Sequence, residues 1–101
     1  MNFLSKLFRK NNIDERLIGC WVSESNETSK EQMIFTKNGK LIYEITENEK
    51  VGTINMTYEI QDNFIITDQP SNPKIEKTKF SIKEDLLILD YNGEITKFRK
   101  K

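Results

Sequence analysis

Apolar residues in this chain recur at every second position in short runs, and each run ends in a tight polar turn. That period places alternate side chains on opposite faces of an extended segment, the pattern of a half-buried strand. The runs are 17–23, 32–36, 41–46, 53–60, 64–67, 75–82, 86–90 and 95–99. Asn38-Gly39 and Asn92-Gly93 are hairpin signals, because both residue types accept a positive φ. Asp62-Asn63, Glu84-Asp85 and the polar stretch 47–50 turn the chain between other runs, and Asp68 to Pro73 carries two prolines and reads as a loop. Short strands in sequence order leave two exposed edges unless the sheet closes. About eight strands is the number at which a meander closes around a core of side chains. The expected fold is therefore all-β: an antiparallel up-and-down meander of about eight strands, closed by pairing of the first strand with the last.

A weak internal repeat supports the meander. Tyr58-Glu-Ile-Gln-Asp-Asn-Phe-Ile-Ile resembles Phe80-Ser-Ile-Lys-Glu-Asp-Leu-Leu-Ile at an offset of 22 residues. Two copies suggest one hairpin geometry used twice, not a solenoid. Alternation assigns inward positions to Met33 and Phe35, to Leu41, Tyr43 and Ile45, and to Ile54, Met56 and Tyr58. It continues through Phe64 and Ile66, Phe80 and Ile82, Leu87 and Leu89, and Phe98.

The segment before the first run differs. Phe3, Leu4, Leu7 and Phe8 share one helical face, with Lys6, Arg9 and Lys10 elsewhere. Residues 1–14 are expected to form a short amphipathic basic helix and residues 15–101 the barrel domain, with Asn12 or Asp14 capping a turn between them. The basic residues interrupt the apolar stretch that a secretory signal needs. With a single cysteine, Cys20, no intrachain disulfide can form. A cytoplasmic chain is expected, and no apolar run is long enough for a membrane-spanning helix.

The chain has no histidine. This removes Ser-His-Asp and Cys-His nucleophile pairs, His-ligated metal sites and the usual base near neutral pH. The expectation is no enzyme, no cofactor and no metal. Glu47 with Glu49, and Glu84 with Asp85, lie in polar turns and read as solvated. Lys74, Lys77, Lys79 and Lys83 form a basic cluster without interleaved exposed aromatics, so nucleic-acid binding is not expected.

Gly19-Cys20-Trp21 opens the first run, and Phe98-Arg99 closes the last. Between them stand Phe35-Thr-Lys-Asn-Gly-Lys-Leu, Gly52 ahead of Tyr58, and Asp85-Leu-Leu-Ile-Leu. In this order the features resemble the calycins, especially short bacterial lipocalin-like domains. The resemblance spans Arg16 to Arg99. It implies a small lipocalin-like barrel that binds rather than catalyses, closed at Gly19, with Arg99 lying against Trp21. The chain lacks the disulfide and the final helix of secreted lipocalins.

Trp21, Phe35, Tyr43, Met56, Tyr58 and Phe80 are the candidate ligand-binding residues for a small apolar or amphiphilic molecule. The same side chains suit a filled core, and Trp21 suits a seal over the barrel floor. The alternative is a protein-interaction module, such as a bacterial immunity protein or an adaptor that binds a partner protein. Charge is segregated: Met1 to Lys10 carries three positive charges, Lys97 to Lys101 four, and the remainder sums to −7. Closure brings the two basic ends to one pole. There Phe3, Leu4, Leu7 and Phe8 would serve either as a lid on the barrel or as a peripheral contact with an anionic membrane.

Overall fold

The computed structural model describes residues 13–23, 29–70 and 73–101. Within them the alternating runs are the strands β1 (Gly19–Ser23), β2 (Ser29–Phe35), β3 (Lys40–Glu47), β4 (Lys50–Gln61), β5 (Phe64–Asp68), β6 (Ile75–Lys83), β7 (Leu86–Tyr91) and β8 (Glu94–Lys100). Each pairs antiparallel with its neighbour in sequence, and β1 pairs with β8, so the meander closes into an eight-strand barrel without an open edge. Seven strands outrun their apolar runs because the ladder continues through polar ends. Ser29, Lys30 and Glu31, for example, pair with Glu47, Thr46 and Ile45. The first strand instead starts late, because Leu17 belongs to the turn before it.

That turn is a single 3-10 turn, Glu15–Leu17. Asp14 caps it: one carboxylate oxygen accepts from the Arg16 amide at 3.0 Å, and the other meets the guanidinium at 2.6 Å. The Arg16 side-chain bond holds the Asp14 carboxyl below its ordinary value against the opposing effect of burial. No longer helix occurs among the described residues. The helix expected over 1–14, with Phe3, Leu4, Leu7 and Phe8, lies outside the described residues save for Ile13 and Asp14, which are not helical.

The turns follow their residue types. Asn92-Gly93 is left-handed at both positions, φ 52° and 89°, as a two-residue hairpin requires. Asn48-Glu49 does the same at 53° and 68°. At Asn38-Gly39 only Gly39 is left-handed, and the loop is wider, with the Thr36 amide donating to the Lys40 carbonyl. Asp62 and Glu84 take matching φ values of 55° and 56° at equivalent places of the 22-residue repeat.

The register corrects one strand. Phe64 and Ile66 were expected to point inward, but Ile60 pairs with Ile65 and Tyr58 with Thr67, so Ile65 and Thr67 take the inner face. Ile65 is buried, and Phe64 lies outside beneath Lys77, whose Nζ sits 4.5 Å from the ring centroid. The run Phe64-Ile65-Ile66 does not alternate, so its phase is set by its neighbour across the ladder. The repeat carried the answer, because Ile65 is the equivalent of the inward Leu87.

Candidate functional site

The barrel has two unlike poles. At one, the chain enters through the 3-10 turn, β8 ends, and the β2–β3, β4–β5 and β6–β7 turns gather. Leu17, Trp21, Phe35, Leu41, Ile65, Leu87 and Phe98 are all but fully buried there, with Tyr58 and Phe80 beside them. This pole is a sealed floor. The Phe35 and Tyr58 rings meet edge to face at 5.0 Å. The Trp21 indole N–H donates to the Leu17 carbonyl at 2.8 Å, and the Tyr58 hydroxyl donates to the Thr36 carbonyl at 2.8 Å. Each buried polar tip of these aromatics therefore has a partner. Burial, with a smaller push from Asp14, raises the Tyr58 phenol above its ordinary value.

The floor corrects a second expectation. The residue opposite Trp21 on β8 is Lys100, and Arg99 stands opposite Val22, in the exposed phase of the strand. Lys100 Nζ lies 5.0 Å from the Trp21 ring centroid and donates to the Ile18 carbonyl at 2.9 Å and the Arg16 carbonyl at 3.4 Å. Because β8 runs one residue past the predicted end, the role expected of Arg99 against Trp21 falls to Lys100. Gly19 makes room for it: its φ is +130°, and a Cβ there would sit 2.9 Å from Lys100 Cε.

At the other pole β1, β3, β5 and β7 end and β2, β4, β6 and β8 begin, and the interior opens into a chamber of about 300 Å³. Its lower wall is Met33, Leu41, Met56, Leu89 and Phe98. Above these stand Thr67, Thr78 and Thr96, and toward the mouth Glu31, Tyr43, Glu76 and Tyr91. The Tyr43 hydroxyl donates to Glu31 Oε1 at 2.7 Å. Burial, together with this carboxylate, pushes the Tyr43 phenol far above its ordinary value and keeps it a neutral donor. Glu76 Oε2 lies 3.2 Å from the Nζ of the exposed Lys74. Among the described residues the exposed large apolar side chains, Val51, Ile75, Tyr91 and Ile95, all belong to strand ends at this same pole.

A wider crevice, about 680 Å³, lies outside the floor between the 3-10 turn and the β2–β3 turn, against Ile13, Glu15, Ile18, Lys37 and Asn38. It is a surface hollow beside the first described residue. The chamber is where inward-facing side chains from seven strands converge, so the chamber is the candidate site. Among the described residues no three His, Cys, Asp or Glu side chains gather as metal ligands.

The six sequence-predicted ligand residues divide between the poles. Tyr43 and Met56 line the chamber, while Trp21, Phe35, Tyr58 and Phe80 are packed in the core. The polar wall was missed. Its signal is the strand phase: Glu31 shares the phase of Met33 and Phe35, Glu76 and Thr78 that of Phe80, and Thr96 that of Phe98. Polar residues in an apolar phase mark either strand ends or the lining of a cavity.

No known protein-family profile matches the chain, and no curated protein matches it. Among solved structures it is similar to the crystal structure of the lipoprotein YedD from Klebsiella pneumoniae, with a TM-score of 0.65 and 14% sequence identity. The match covers 91% of this chain and 77% of that one. At this identity the likeness is one of fold.

Proposed function

We propose that the chain is a non-catalytic, lipocalin-like binding module that holds one small amphiphilic molecule in the mouth of its barrel. The observation that carries this reading is the chamber. Eight-strand barrels sit at the size where the interior is either filled or holds a single small ligand, and this one is filled at the floor and open above it. About 300 Å³ is the lower end of the range of small-molecule sites. Two methionines in its lower wall adapt readily to different ligand shapes, and polar groups at the rim suit a wetted headgroup. The fold likeness to a lipoprotein is compatible with such a module. The absence of histidine, which removes the usual base near neutral pH, favours a role without catalysis.

Thermal melting in the presence of short alkyl amphiphiles tests the reading. A ligand bound only by the folded state raises stability by RT ln(1 + [L]/Kd), about 2.7 kcal/mol at a hundredfold excess over Kd. A saturable rise in Tm, abolished by filling the chamber with Thr78→Trp, is expected. No rise with any amphiphile short enough to fit would overturn it.

A further inference from the structure

The charges on the chamber wall have one sign. Among the described residues Glu31 and Glu76 line it, and no lysine or arginine does. The ladders explain the segregation. Glu31 stands opposite Ile45 and Glu76 opposite Thr67, both inward positions, whereas Lys30, Lys77 and Lys79 occupy the alternate, outward phase. The cation beside Glu76, Lys74, has a side chain that is 72% exposed and stands outside the wall. The chain as a whole has a formal net charge of +0, so a preference for one sign of ligand would come from this local arrangement and not from overall charge.

Resting on the chamber reading above, we propose that the chamber selects amphiphilic cations: a protonated amine at the Glu31–Glu76 rim with a short apolar body against Met33, Met56 and Leu89. A carboxylate headgroup in the same place meets like charge in surroundings of lower dielectric than water, and among the described residues only the exposed Lys74, outside the wall beside Glu76, offsets it. An ammonium meets opposite charge and supplies donors to acceptor-only oxygens. A neutral alcohol of equal length lies between the two. Discrimination of this kind combines attraction for one headgroup with repulsion of the other.

Calorimetric titration of the full chain with octylammonium, 1-octanol and octanoate at neutral pH tests the inference, with methylammonium as a headgroup without a body. Octylammonium is expected to bind at one equivalent, about tenfold or more tighter than 1-octanol, with octanoate weakest and methylammonium without effect. Glu31→Gln/Glu76→Gln keeps the shape and one acceptor oxygen at each position while removing the charge. It should bring octylammonium down to the affinity of 1-octanol and leave 1-octanol unchanged. Glu76→Gln alone, which leaves the Tyr43–Glu31 bond intact, should give part of the loss. Octanoate binding as tightly as octylammonium, full ammonium preference in the double variant, or equal competition by methylammonium would each overturn the cation inference while 1-octanol binding leaves the chamber reading standing. Binding by none of the alkyl probes would overturn both.

Discussion

The floor and the mouth of this barrel are made by the same strands in the same alternation, yet one is packed solid and the other is hollow. At the floor the inward phase carries Trp21, Phe35, Tyr58, Phe80 and Phe98, and their volumes fill the section. At the mouth the same phase carries threonine, glutamate and methionine, which leave about 300 Å³ between them. Alternation decides which side chains face in. Volume and polarity decide whether the inside closes, since protein interiors pack densely and empty space persists only where shape or polar lining maintains it. The floor supplies stability and closure, and under the proposed function the mouth takes up its ligand without unfolding the barrel.

Paired truncations break this comparison if it is wrong. Trp21→Ala removes the largest fully buried side chain among the described residues, strands the Leu17 carbonyl and takes away the ring beneath Lys100, so a loss of about 3–5 kcal/mol is expected in denaturant unfolding. Thr96→Ala, on the chamber wall but exposed, is expected to stay within about 0.5 kcal/mol of the parent. Similar losses at the two sites would show that the interior is one continuous core.

Alkaline pH sharpens the comparison with a smaller effect. Half-buried Tyr43 and buried Tyr58 have phenols held above their ordinary value of 10.0, Tyr43 the further, by burial and then by Glu31, and Tyr58 by burial. A raised value in the folded state favours the neutral phenol there. The resulting stability is fully present below about pH 10 and is lost as pH rises beyond it. Unfolding free energy should therefore fall on the alkaline side. Tyr43→Phe at the mouth should flatten that fall more than Tyr58→Phe at the floor. Equal slopes in the parent and both variants would remove the Glu31 carboxylate from the electrostatics of the chamber.

Much of the fold was legible because alternation and turn chemistry agree. Asn92-Gly93, the Asp62 and Glu84 turns of the repeat, and the pairing of first and last strands all follow from local pattern and the need to close two edges. Legibility failed where the pattern has no phase or continues through polar residues. Phe64-Ile65-Ile66 reads equally in either phase, and only the pairing of Ile65 with Ile60 decides it. Lys100 was missed because a lysine at a strand end reads as solvated, although its ammonium lies over the Trp21 ring and reaches the Ile18 carbonyl. The candidate site was less legible than the fold. Inward aromatics suggest a pocket but fill small barrels, and it is the polar residues in the inward phase, Glu31, Thr67, Glu76 and Thr78, that mark where filling stops.

The most direct test of a sealed floor beneath a ligand-holding mouth is a methyl-labelled nuclear magnetic resonance titration of the full chain with octylammonium. Met33 and Met56 report the chamber, and Leu17 and Leu87 report the floor. Saturable shifts of the two methionine methyls, with the two leucines unmoved, are the expected result. Methionine methyls that stay in place through the titration, or leucine methyls that move as far as they do, would contradict it.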